Sequence, residues 1–161
     1  NSTVAFKKKM SQTLSLYQES IEKINQSLRF EYSIMDELFT FIGEKFNRYY
    51  VWTAMVFTTT GKPFYYYRLS KHRSADELFE FNLDLPKVNG VFCDEAFAYD
   101  KIYGSKAIQA KGVMTNIIEN LNSQMRDKIA YLVRRTKAHA KSVEWLDYRL
   151  ARFFINKNLG G

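Results

Sequence analysis

Residues 31–42 read Glu31-Tyr32-Ser33-Ile34-Met35-Asp36-Glu37-Leu38-Phe39-Thr40-Phe41-Ile42, and this stretch decides the fold. Its aromatic and β-branched content predicts a strand. A polar turn at Gly43 to Asn47 leads to a second run of the same kind, Tyr49 to Thr58. Thr60-Gly61-Lys62-Pro63 is a strong turn signal, and Phe64 to Leu69 predicts a third strand. Three strands joined by turns make an antiparallel meander. One residue is out of place in it. Asp36 sits mid-strand amid apolar residues, where a carboxylate is costly unless something pairs with it. A metal ion or a basic side chain would serve, and so would exposure of that face to water.

Working outward, Ser74-Ala75-Asp76-Glu77 is a capping-box pattern that opens a short helix through Leu78, Phe79 and Phe81. Asn89-Gly90 turns the chain into a fourth strand, Val91 to Cys93. A loosely structured stretch is expected next, with a fifth strand near Lys106 to Gln109. Two helices close the chain. The first is expected to begin with Thr115 as its N-cap, and to bury Ile118, Leu121, Met125, Ile129 and Leu132. The second begins near Ser142 and buries Val143, Leu146, Leu150 and Phe153. Upstream of the meander, Val4, Met10, Leu14, Tyr17, Ile21, Ile24 and Leu28 recur at helical spacing across residues 2–29.

The order is that of an α/β, ribonuclease H-like domain: a mixed sheet of three antiparallel strands plus one or two further strands, with flanking helices and two C-terminal helices. Residues 31–161 are assigned to that domain. Residues 1–30 read as a helical stub or linker, the end of an N-terminal DNA-binding region. Lys7, Lys8 and Lys9 fit either a solvated helix face or the tail of a recognition helix.

The 161 residues suffice for one domain with a full core. Lys and Arg number 24 against 17 Asp and Glu, a net charge of +7 that favours polyanions or an acidic membrane surface. The single cysteine, Cys93, excludes a disulfide framework or a cysteine zinc site within the chain and points to a reducing, intracellular setting. No apolar run approaches the ~20 residues of a membrane span. The chain begins Asn1-Ser2-Thr3 without an initiator Met, so it is expected to start inside a longer protein.

Two further acids stand out. Asp94 directly follows the fourth strand, where ligands of α/β sheets collect, although turns and helix caps use aspartate equally often. Glu119 lies near the start of the penultimate helix at the edge of its apolar stripe, a place that also suits an acid near a helix N-terminus. Asn116, Ser123 and Arg126 share its side of the helix. Phosphoryl transfer on DNA uses two divalent metals about 3.5–4 Å apart, and carboxylates converging from two strands and a helix suit them. Arg126 would then hold a DNA phosphate nearby. Arg134, Arg135, Lys137, His139 and Lys141 form a basic cluster suited to tracking phosphates. His72 and His139 are not spaced as a metal pair. Tyr65, Tyr66 and Tyr67 read as strand packing rather than base stacking.

The run Thr115-Asn116-Ile117-Ile118-Glu119-Asn120-Leu121-Asn122, with Arg126, Arg134-Arg135-Thr136-Lys137 and Lys141-Ser142, resembles the tail of insertion-sequence transposases of the DDE type. The nearest resemblance is to the insertion-sequence-one group. Met35-Asp36-Glu37-Leu38-Phe39-Thr40-Phe41-Ile42-Gly43, Val51-Trp52-Thr53-Ala54, Arg73-Ser74 and Phe92-Cys93-Asp94 agree in the same order, so the resemblance spans about residues 31–157. It implies that Asp36, Asp94 and Glu119 are catalytic acids that bind Mg²⁺, with Mn²⁺ substituting. It implies that Asn116, Arg126, Arg134, Arg135, Lys137 and Lys141 contact DNA.

The resemblance further implies cleavage at transposon ends and strand transfer into target DNA by a homodimer, in the cytoplasm or nucleoid of a bacterium or archaeon. The sequence departs from the group at Phe39, where Trp is usual, and at Met55, where many relatives carry an acid after the second-strand Trp-Thr-Ala. Two rival readings remain: an inactive remnant that only binds DNA or another subunit, and a nuclease of the same fold, such as a junction resolvase.

Overall fold

The computed structural model describes residues 2–42, 47–94, 97–135 and 143–160, with backbone only for residues 2, 3, 97 and 129–135. The meander forms as the sequence predicts: β1 (Phe30–Phe41), β2 (Arg48–Thr58) and β3 (Pro63–Ser70). β2 is antiparallel to both neighbours, and Gly61 takes φ +90° in the β2–β3 turn, a conformation that suits glycine. The polar turn expected at Gly43 to Asn47 lies, but for Asn47, outside the described residues.

Helix α2 (Ala75–Asp84) then crosses to β4 (Gly90–Cys93), which lies parallel to β1. The Ser74 side chain caps α2 by accepting the Glu77 N–H at 3.4 Å, as the capping-box pattern predicts. The short β5 (Ala107–Gln109) is parallel to β4, giving the sheet order β3-β2-β1-β4-β5. With helices on both sides, this five-stranded mixed sheet has the architecture of a ribonuclease H-like fold.

Two local expectations need correction. The stretch after Asp94, read as loosely structured, contains helix α3 (Phe97–Tyr103) and a single 3₁₀ turn, Gly104–Lys106. Ala98 and Tyr99 of α3 are buried, so tertiary contacts stabilise a helix too short to stand alone. Helix α4 (Val113–Arg135) begins two residues before Thr115, so Thr115 lies inside its first turn and is not the N-cap.

Strand alternation assigns the helices to faces. Asp36, Thr53 and Tyr67 are directly paired across β1, β2 and β3, so they share one face. Asn122 of α4 bonds Thr53 on that face, and Asp147 of α5 (Val143–Asn158) accepts the Tyr67 hydroxyl at 2.6 Å. Glu37, Trp52 and Arg68 share the other face, covered by α2 and α3. There Arg68 pairs with Glu77 at 3.2 Å, and Trp52 meets Tyr99 edge-on.

Helix α1 (Ser2–Ser27) runs beside the outer edge of β3, packed on α5. It adds Tyr17 and Ile21 to the main core, whereas Val4 and Leu28 of its predicted stripe are exposed. An edge strand presents unpaired backbone groups, and here side chains occupy them. The Tyr17 hydroxyl accepts the Tyr67 N–H at 2.9 Å. Asn158 accepts the Tyr65 N–H at 2.7 Å and donates to its carbonyl at 2.9 Å. Tyr66 and Tyr67 are buried, in keeping with a packing role.

Candidate active site

β1 outruns its parallel neighbour. The β1–β4 pairing ends at Ile34↔Phe92, two residues before Asp36, and β4 itself ends at Cys93. A notch therefore opens at the carboxyl end of the two central parallel strands, the usual place for a ligand in such sheets. Asp36 and Glu37 enter it from β1, and Asp94 enters from the end of β4. One carboxylate oxygen from each of Asp36, Glu37 and Asp94 lies within 4.8 Å of the other two.

The two β1 acids have different supports. Asp36 accepts the Glu37 backbone N–H at 2.9 Å and the Asn122 amide at 2.8 Å. The Thr53 hydroxyl lies 3.1 Å from the Asp36 carbonyl and 3.3 Å from the Asn122 amide oxygen, tying α4 to the strand. Glu37 is clamped from the opposite face: Tyr99 donates to one oxygen at 2.6 Å, and Arg73 forms an ion pair with the other. Burial pushes the Asp36 carboxyl above its ordinary range, and the nearby Asp94 charge adds to this. Hydrogen bonds from Glu37 N–H and Asn122, and the charge of Arg126, oppose the shift. Burial likewise raises Glu37, against the pull of Tyr99 and Arg73.

Three close carboxylates, with Asp36 and Glu37 raised by burial, form an oxygen-rich site. That donor set fits a hard divalent cation such as Mg²⁺ or Mn²⁺. The sequence pattern of a known family, IS1 transposase (insertion sequence one), matches residues 29–159. The chain belongs to the IS1 transposase family. No curated protein and no solved structure matches it. Membership gives the chain a transposase role, with DNA as its partner and divalent metal use as the family's general habit. Among the described residues, no helix is long and apolar enough to cross a membrane.

The structure brings together two of the three acids singled out in the sequence, Asp36 and Asp94. Glu119 is exposed on α4, one turn before Asn122 and outside the close acid group. Among the described residues its carboxylate has no hydrogen bond or ion pair. Arg126 is exposed one turn beyond Asn122, near enough for its charge to act on Asp36. Asn116 is exposed in the first turn of α4. Arg134 and Arg135 lie in the last turn of α4, with side chains outside the description, and Lys137, His139 and Lys141 lie outside the described residues.

Sequence reasoning assigned no role to Glu37, Tyr99, Arg73 or Asn122. Glu37 was within reach, since an acid beside Asp36 on the same strand is one alternation away. Tyr99 was not, because its helix was unrecognised. Met55 pairs with Ile34 and packs with Phe57, Ile118 and Leu121 beneath α4. In this transposase that position is part of an apolar layer, where a carboxylate would be buried without a partner.

Proposed function

We propose that this chain is the catalytic domain of a DDE transposase that cuts DNA at transposon ends and joins the freed ends to target DNA. The reaction hydrolyses a phosphodiester to free a 3′-hydroxyl, which then attacks a target phosphodiester in line. The observation that carries the reading is the convergence of Asp36 and Asp94 at the open end of the central strands, beside the α4 face that bears Glu119, Asn122 and Arg126.

Asp36, Asp94 and Glu119 are the residues that would hold Mg²⁺, or Mn²⁺ in its place. Glu119 is preferred to Glu37 as the third acid because Glu37 is already ion-paired with Arg73, whereas Asp36 accepts only from neutral donors. The divalent ions supply electrostatic stabilisation of the attacking and leaving oxygens. The protein's own part is positional. Asn122 fixes the Asp36 carboxylate, and the Glu37–Tyr99–Arg73 clamp holds β1 in register with α2 and α3. Arg126 offers a guanidinium to a DNA phosphate on the Glu119 side, with Asn116 a turn earlier on the helix. Arg134, Arg135, Lys137 and Lys141 extend the DNA contact. Joining two transposon ends calls for two copies, so the working form is a homodimer acting at the bacterial or archaeal nucleoid.

The test is incubation of the chain with a duplex bearing the element's terminal repeat and Mn²⁺. Expected is a nick at the repeat end, followed by joined product, both absent with Asp36→Asn. Metal-independent DNA binding with no nick would favour the remnant reading. Cutting of branched DNA without joining would favour the resolvase reading.

A further inference from the structure

α4 and α5 flank a groove of about 410 Å³ that shares no lining residue with the acid cluster. Lys128 of α4 faces Arg149, Arg152, Asn156 and Lys157 of α5 across it, and among the described residues no acid lines it. Arg149, Arg152 and Asn156 recur at i, i+3 and i+7, so one face of α5 carries the array.

The three cations of α5 are braced by rings instead of acids. The Arg149 guanidinium lies 5.2 Å from the Trp145 ring and 5.4 Å from the Tyr148 ring. Its Nε is buried with no hydrogen-bond partner. Arg152 lies 5.8 Å from the Tyr148 ring and donates to its hydroxyl at 3.3 Å, and Lys157 sits 5.2 Å from the Tyr65 ring. Among the described residues none of the four cations is in an ion pair, whereas Arg68 and Arg73 are each paired with a glutamate. Ring stacking fixes a cation without cancelling its charge. Four unneutralised charges around one groove, three of them fixed by rings, repel one another until a polyanion fills it.

We propose that the α4–α5 groove is a second DNA site, which grips the phosphodiester backbone of a duplex away from the acid cluster. The proposal rests on the transposase reading for the identity of its polyanion. Backbone contact without base reading is the chemistry that lysine and arginine supply here.

The test measures binding of a fluorescent random-sequence duplex in EDTA across a salt series. Lys128→Glu with Arg152→Glu, both exposed positions, should weaken binding about tenfold or more and reduce the log–log salt slope by about 2, as for two lost phosphate contacts. Lys23→Glu with Lys87→Glu, exposed cations elsewhere, makes the same change in net charge and should do much less. Equal losses from the two pairs would overturn the proposal.

A second measurement leaves every cation in place. Asn156→Cys puts an exposed thiol in the groove, while the native Cys93 is only 2% exposed and labels poorly. DNA should slow maleimide labelling at position 156 several-fold. Unchanged labelling overturns the proposal, as does protection that grows with protein concentration without DNA, which would assign the groove to a second copy of the chain. Because the assay contains EDTA and reads no cleavage, its failure is separate from a failure of the strand-transfer reading, which is scored with Mn²⁺.

Discussion

Asp36 and Glu37 are neighbours in one strand, yet they live in different chemical worlds. Alternation sends Asp36 to the α4 face and Glu37 to the α2–α3 face. Asp36 meets a neutral amide and a backbone N–H, so its charge is oriented but not cancelled. Glu37 meets an arginine and a phenol, so its charge is already answered. On the proposed reading, one strand carries an acid kept for a cation beside an acid used for architecture.

The comparison breaks most sharply on catalysis. Asp36→Asn should lower Mn²⁺-dependent nicking by at least about a thousandfold, because several kcal/mol of metal-borne stabilisation are lost. Glu119→Gln should do nearly the same. Glu37→Gln should retain measurable activity, and a loss as complete as that of Asp36→Asn would make Glu37 the third metal acid in place of Glu119.

Stability should reverse the ranking. Glu37→Ala leaves the Arg73 guanidinium and the Tyr99 hydroxyl without their acceptor and should cost about 1–3 kcal/mol in chemical denaturation, more than Asp36→Asn. Asn122→Ala removes the link from α4 to Asp36 and Thr53 at a site only 2% exposed, and should cost about 1–2 kcal/mol. Its nicking rate should fall about tenfold, as expected for a positioning group. Tyr99→Phe should be milder, about 1 kcal/mol, because one hydrogen bond to Glu37 is lost and the ring remains.

The smallest expected effect is on pH. Asp36 and Glu37 have folded-state protonation points above their unfolded values. Without metal, the stability gained by protonating them is complete below the ordinary carboxylate range and lost as pH rises through the raised values. Divalent metal needs the ionised forms, so its stabilising effect should fade as pH drops through those same raised values. Thermal melts with and without Mn²⁺ across mildly acidic pH read both signs. A metal-induced shift that stays constant until the ordinary carboxylate range would contradict the raised protonation points.

Much of this was legible before any coordinates. The meander, the capped α2 and the short β4 follow from local signals: β-branched and aromatic runs, a Gly-Pro turn, and a Ser-x-x-Glu box. The anomaly of a mid-strand aspartate pointed to the site. The α3 helix escaped because its stability comes from burying Ala98 and Tyr99, which no local pattern shows. Thr115 misled because a good capping residue is also tolerated within a first turn.

By itself, the sequence determined the strands and every helix but α3, the basic character of the chain, the family, and which acids were worth watching. These depend on composition and short-range periodicity, which are written in consecutive residues. The tertiary structure alone decided that Asp36 and Asp94 meet where β1 outruns β4, and that Glu37 is clamped by Tyr99 and Arg73. It alone showed that α4 and α5 leave four cations facing one groove. Those facts arise from register and packing between residues tens of positions apart, and local chemistry carries no record of such distances.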